Sequence, residues 1–313
     1  MNTARYLFRG GWLCLSLCCL YCLSGCIRED RGDCPPETED RFVVLKIIDE
    51  TTGRDITETG EAGSAVLYLF YPEGYFVGRA FVTGEQIVRH APVLLPVEAL
   101  DRCHVSAWTN AGAGQLFHSP VQGSGIEERA VSLIEGEDAF HGTPDDLFFG
   151  RARLGPTGEA ASEEITLIRK NARIHITARG LDRNTPEDLY YFTVEIPDDG
   201  YDFAGNPISG TAHVHRTGTF RDNGDFSTDG TFNLVHTDEA DSQADEVIVN
   251  LYERMSARSA DRLLASVTEV DGDRISLPAG RTLNLLIELN EGGGLSIRME
   301  ITPWNEIYQW DIW

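Results

Sequence analysis

The chain has 313 residues, 42% of them hydrophobic, and carries 50 acidic against 26 basic residues for a formal net charge of -24. Its hydrophobic content suits a globular protein, and its length after an N-terminal export segment suffices for about two domains, each with its own core. The acidity argues against nucleic acid and anionic headgroup surfaces as partners, because every approaching phosphate meets net repulsion.

At the start of the chain Arg5 and Arg9 precede an apolar segment from about Trp12 to Leu23. That segment is too short to span a bilayer but has the length of a signal-peptide core. Leu23-Ser24-Gly25-Cys26 then offers small residues ahead of a thiol, the pattern a lipoprotein-processing peptidase needs. We therefore expect residues 1–25 to be a cleaved lipoprotein signal peptide and Cys26 to be lipidated. Two or more acyl chains, at roughly 0.8 kcal/mol per buried methylene, hold a protein stably on a membrane. The acidic cluster Arg28-Glu29-Asp30 follows in a linker spanning 26–40.

Five of the seven cysteines, Cys14, Cys18, Cys19, Cys22 and Cys26, lie in or at the end of the export segment, which leaves Cys34 and Cys103. Two remaining thiols in an exported chain read as one disulfide. The bridge would close a loop of about 70 residues, worth roughly 4 kcal/mol in the chain-entropy model, and would tie the lipidated tail to the first domain. The alternative is a buried free Cys103 with an exposed Cys34.

From Arg41 onward the dominant hydrophobic period is two. Strands are expected at Phe42–Ile48, Val66–Tyr71 and Tyr75–Val82, the last two joined by a turn at Pro72-Glu73-Gly74. In Cys103–Thr109 the residues Cys103, Val105 and Ala107 share the core-facing side. Asn110–Gly114 reads as a loop and Asp146–Gly150 as a short apolar piece. A second set of strands is expected from about Ile165, with Arg173–Arg179 placing Ile174, Ile176 and Ala178 inward and Arg173, His175, Thr177 and Arg179 outward. Tyr191–Ile196, Val247–Tyr252, Leu283–Leu289 and Leu295–Ile301 complete the set, separated by polar, Gly- and Asp-rich connections. The expectation is an all-β protein of two sandwiches, 41–170 and 171–313, with the boundary near Lys170. The aromatic terminus Pro303–Trp313 reads as a last strand over the second core, or as an exposed edge in which Trp310, Ile312 and Trp313 meet a partner.

No catalytic constellation emerges, so no enzymatic activity, cofactor or metal is expected. Gly112-Ala-Gly114 lacks the rest of a dinucleotide fingerprint. His213-Val-His215 directs two imidazoles to one side of a strand but has no third ligand. Asp222–Gly230 has oxygens suited to calcium without the twelve-residue spacing of an EF-hand, and reads as a turn. Asp238–Glu246 reads as a solvated loop.

Taken together, Cys26 followed by Asp33-Cys34-Pro35, the Cys103 strand ending in Trp108, Asp146-Leu-Phe-Phe-Gly150, Arg169–Ile174, Tyr201-Asp-Phe-Ala-Gly205 and Trp310-Asp-Ile-Trp313 resemble the FimB-type fimbrial anchor lipoproteins of Bacteroidales. Arg28-Glu29-Asp30 resembles the signal that sends lipoproteins of the Bacteroidota to the outer face of the outer membrane. The resemblance implies two tandem transthyretin-like β-sandwich domains, lipid on Cys26 and a bridge between Cys34 and Cys103. It implies a basal subunit that holds a fimbrium on the outer membrane and limits its length, with a fimbrillin shaft subunit as partner joined by strand addition. A proteolytic nick after Arg41 is then expected to leave the anchor in place, held by the bridge. Three rivals stand beside this reading: an accessory tip fimbrillin, a surface glycan-binding lipoprotein stacking sugars on Trp108, Trp304, Trp310 or Trp313, and a tethered hydrolase.

Overall fold

A computed structural model describes residues 40–96, 102–110, 112, 114–155, 162–237, 246–255, 259–290 and 292–310. The expectations placed on the export segment, on Cys26, Arg28, Glu29, Asp30 and Cys34, on residues 238–245, and on Ile312 and Trp313 lie outside the described residues. No helix among the described residues is long and apolar enough to cross a membrane.

In chain order the strands up to Arg169 are β1 (Phe42–Asp49), β2 (Arg54–Asp55), β3 (Ser64–Phe70), β4 (Phe76–Thr83), β5 (Val93–Leu94), β6 (Cys103–Thr109), β7 (Gln115–Phe117), β8 (Arg129–Leu133), β9 (Phe148–Leu154) and β10 (Ser162–Arg169). They are followed by β11 (Asn171–Arg179), β12 (Tyr190–Asp202), β13 (Pro207–Phe220), β14 (Phe226–Thr228), β15 (Phe232–Val235), β16 (Ile248–Glu253) and β17 (Arg262–Val267). The small hairpin β18 (Glu269–Val270) and β19 (Asp273–Arg274) precedes β20 (Arg281–Leu289) and β21 (Leu295–Pro303). The regular structure of the described residues is thus nearly all strand, as the period-two patterning predicts. Gly74 closes the expected β3–β4 turn with φ +89°, donating its N–H to the Tyr71 carbonyl at 2.8 Å.

The first sheet has the order β2-β1-β10-β9-β6-β3-β4, with β5 flanking β1. The second has the order β17-β16-β12-β13-β14-β11-β20-β21, with β15 on β11, β8 on β12 and β7 on β8. Each set opens with a strand lying parallel to one from its end. β1 runs beside β10, Phe42 opposite Ser162, and β11 runs beside β20, Arg173 opposite Thr282.

Two placements differ from the sequence expectation. The strand containing Ile165 belongs to the first sheet, and β11 of the second sheet begins at Asn171, with Lys170 alone between it and the end of β10. β7 and β8, from the N-terminal half, join the second sheet, because β12 runs on to Asp202 and pairs Tyr201 with Val131 there.

Two cores result. Val43, Leu45, Ile47, Leu67, Leu69, Cys103, Val105, Ala107 and Leu167 fill one face of the first sheet. The opposite face, with Val66, Tyr68, Phe70, Trp108 and Phe149, packs into the core of the second sheet among Ile174, Ile176, Phe192, Val194, Leu283 and Leu285. A sheet covered on both sides needs apolar residues at every position, which explains the unbroken run Val66–Phe70. A short helix, α1 (Gly84–Val88), sets Ile87 into the first core. It carries a capping box: Thr83 Oγ1 accepts from the Gln86 N–H at 3.3 Å and Gln86 Oε1 accepts from the Thr83 N–H at 2.9 Å.

Candidate functional site

Three of the motifs that carry the family resemblance meet where the two sheets join. Asp146, ahead of β9, bonds Arg169 at 3.1 Å and Arg173 at 2.9 Å. Arg169, its side chain only 7% exposed, also pairs with Glu61 from the β2–β3 connection. Asn233 on β15 donates to Asp146 Oδ1 at 2.8 Å and accepts from Arg173 Nε at 2.7 Å. Apart from Arg169 Nε, which has no partner among the described residues, these charges are satisfied on several sides at once, the condition under which a buried ion cluster holds.

Tyr201–Gly205 packs against the same junction. Tyr201 donates its hydroxyl proton to the Lys170 carbonyl at 2.8 Å and accepts from the His236 N–H at 3.1 Å. Phe203 lies edge-on to Tyr68 at 4.8 Å, and Trp108 lies between Phe149 at 4.6 Å and Tyr201 at 5.4 Å. Trp108 is fully buried and cannot stack on a sugar, which removes it from the glycan reading.

The C-terminal segment is not a strand beyond Pro303. It crosses the outward face of β11, β20 and β21. Trp304 lies under the guanidinium groups of Arg173 and Arg169, at 4.0 Å and 4.5 Å. Tyr308 donates its N–H to Asn284 Oδ1 at 3.0 Å, and Trp310 contacts the Tyr308 ring at 4.8 Å and the Arg298 guanidinium at 5.4 Å. His175 and Thr177, which alternation alone places on an open face, are buried, His175 beside Thr228 and Arg221 and Thr177 with its hydroxyl 3.2 Å from that of Ser227. Burial pushes the His175 pKa down to about 4, with the Arg221 charge adding to the effect. His175 Nδ1, Thr282 Oγ1, Trp304 Nε1 and Trp310 Nε1 are buried with no hydrogen-bond partner among the described residues.

Among the described residues β21 is a sheet edge, paired with β20 alone. Its inward row runs Leu295, Ile297, Met299, Ile301, and the ends of that row, Leu295 at 44% and Ile301 at 41%, remain exposed. An edge with unpaired backbone groups and a partly covered apolar row is a template for an added strand.

The remaining sequence candidates find other roles. His213 pairs with Glu195 at 3.4 Å while His215 stacks between Tyr191 and Phe140, so the two imidazoles serve different neighbours. Asp225 of the predicted turn binds Arg179 through both oxygens, at 2.8 Å and 2.9 Å. Among the described residues no three His, Cys, Asp or Glu side chains are grouped to hold a metal. Cys103 is buried in the first core as its parity predicts, and burial pushes its thiol pKa up. The Arg41 side chain hydrogen-bonds this thiol.

Residues 31–310 match the Mfa2 family model, described as fimbrillin-A associated anchor proteins Mfa1 and Mfa2. Two major fimbrium anchoring subunits FimB of Porphyromonas gingivalis are similar in sequence. One is 25% identical over 297 residues, covering 91% of this chain and 91% of the relative. The other is 24% identical over 306 residues, covering 91% and 92%. The fimbrial anchor protein Mfa2 from Porphyromonas gingivalis shares the fold with a TM-score of 0.63 at 12% identity, over 86% of this chain and 99% of that one.

Proposed function

Because the chain belongs to the Mfa2 family of fimbrillin-A associated anchor proteins, we propose that it is the lipid-anchored basal subunit of a surface fimbrium. In this reading Cys26 carries the lipid, Arg28-Glu29-Asp30 directs the protein to the outer face of the outer membrane, and Cys34 bridges to Cys103. Arg41, seven residues after Cys34, lies beside Cys103, which keeps Cys34 within reach of it. Seven extended residues reach about 23 Å, ample slack for the connection. The expected sandwiches, 41–170 and 171–313, with β7 and β8 of the first contributing to the second sheet, form a load-bearing body without enzymatic activity.

The observation that carries the joint to the shaft is the open β21 edge with its half-covered apolar row. An extended segment of a fimbrillin shaft subunit adds there through main-chain hydrogen bonds, which tolerate varied side chains. Trp310, against Arg298 of β21, stands beside this joint, and Trp310, Ile312 and Trp313 are the residues expected to meet the partner.

The test is a deletion complemented with wild type, Cys26→Ala or Ile301→Lys. Deletion and Cys26→Ala are expected to give long fimbriae shed into the medium, and mass spectrometry to find acyl chains on Cys26 of the wild type. Ile301→Lys should leave the anchor in the membrane without shaft subunits. Cell-bound fimbriae of normal length after deletion would overturn the reading.

A further inference from the structure

A second site lies away from β21, where the second sheet forks. β14 pairs with β13 only over Gly218–Phe220, and β15 pairs instead with β11, so β13 and β15 diverge. The gap is a cavity of about 400 Å³ lined by Thr143, Arg216, Thr217, Thr231 and Asn233. A second cavity of about 410 Å³, bounded by Phe140, His141, Asp138 and His215, has Arg216 in its wall as well. Such volumes suit one or two sugar rings each.

Arg216 is out of place in a chain of net charge -24. Its Nη2 donates to Thr143 Oγ1 at 2.8 Å, its Nη1 to the His215 carbonyl at 3.3 Å, and its guanidinium lies over Phe232 at 4.9 Å. Burial alone pushes its pKa down, and no carboxylate among the described residues offsets the cost. The neighbouring charges are engaged elsewhere: Arg173 with Asp146 at 2.9 Å, and Asp229 with Thr219 at 3.0 Å and Arg221 at 4.0 Å. Asp138 accepts from the Phe140 N–H at 3.2 Å. A half-buried guanidinium with its fork unsatisfied by an acid is a receptor for an external carboxylate.

Beside it runs a row of rings on the outward face of β12, β13 and β16. Phe140 and His215 are 5.2 Å apart, His215 and Tyr191 4.8 Å, and Tyr191 and Tyr252 5.2 Å with nearly parallel planes. Ring faces receive the C–H face of a pyranose, while the threonine hydroxyls and Asp138 can exchange hydrogen bonds with its hydroxyls. A peptide carboxylate would use the guanidinium but not this mixture of flat rings and hydroxyls. A phosphate would draw on more than one unpaired cation.

We propose that the cleft divided by Arg216 binds an acidic sugar residue, of the uronic or sialic acid class, with its carboxylate on Arg216 and its ring against the Phe140–His215 face. The site is independent of the anchoring role and gives the chain a second, adhesive contact with a glycan.

The test titrates the full chain with the methyl glycosides of glucuronic acid and N-acetylneuraminic acid, with neutral methyl glucoside and acetate as controls. Calorimetry supplies affinities and NMR locates the site. Saturable binding of one acidic glycoside at least tenfold tighter than both controls is expected, weakening as salt rises. Arg216→Gln should abolish that preference, and Phe140→Ala, in a surface loop, should weaken binding at least fivefold. Melting curves check folding, and if Arg216→Gln does not fold, Phe140→Ala and the shifts at His215 decide. Equal binding of neutral glucoside or acetate, shifts remote from Arg216, indifference to both substitutions, or no saturation by about 10 mM overturns the proposal.

Discussion

The guanidinium of Arg173 rests on the indole of Trp304, its central carbon 4.0 Å from the ring centroid. Arg169 approaches the same indole at 4.5 Å, and both arginines share Asp146. One aromatic ring therefore fastens the C-terminal segment to the ion cluster that joins the sheets.

Trp304→Ala removes both stacked cations and part of the cover over β11. A cation–π contact is worth about 1–2 kcal/mol when partly desolvated, so a loss of about 2–3 kcal/mol is expected by denaturant unfolding. Hydrogen exchange at Tyr308 should accelerate more than at the centre of β11.

Asp146→Ala leaves two arginines without their shared carboxylate. Uncompensated buried charge costs about 3–5 kcal/mol, and a drop of that size in unfolding free energy is expected. Glu61→Ala, which removes the more exposed partner of Arg169 alone, should cost less.

Gly205 has φ +85°, and a Cβ there would lie 2.3 Å from the Phe149 ring. Gly205→Ala combines backbone strain with displacement of a buried ring, so about 3 kcal/mol of destabilisation is expected. Gly230→Ala, also at positive φ but in open space, should show the strain alone.

His175 supplies a pH dependence. Its folded pKa, about 4, lies below its ordinary value of 6.5, so the unfolded chain binds the proton more readily. Its neutral form is fully matched to the fold above pH 6.5, and stability falls as pH drops from there towards 4. The loss approaches about 3 kcal/mol at the lower end. His175→Gln should flatten the stability curve across this window; an unchanged slope would assign it to other groups.

A bridge between Cys34 and Cys103, as proposed, would mean that a nick after Arg41 releases nothing from the membrane until reductant is added. Cys103→Ser should release the nicked body without reductant and cost roughly 4 kcal/mol before nicking. Protease treatment followed by membrane fractionation reads both.

Much of the fold is legible from alternation. Cys103, Val105 and Ala107 face one core, and Ile174, Ile176 and Ala178 the other, as their parity predicts. What parity cannot show is what lies on the far side: His175 and Thr177 read as solvated and are buried, His175 beside Thr228 and Arg221 and Thr177 against Ser227. β7 and β8 are short, and their pairing with β12 is set by how far that strand extends, a property of the tertiary arrangement. α1 had a readable signal in Thr83-Gly-Glu-Gln86. The family motifs were visible, but their meeting at Asp146 depends on contacts between distant residues, and Arg216 stands out only once every other charge nearby is seen to have a partner.

The two parallel pairings bear on mechanics. A pull entering at Asp40 loads β1 at its N-terminal end, while the chain leaves β10 at the opposite end and passes through Lys170 into β11. β11 lies beside β20 in the same sense. Force along this path slides neighbouring strands lengthwise, so the rungs of each ladder share the stress instead of parting one after another. A body strung this way resists traction along its length far better than peeling from the side.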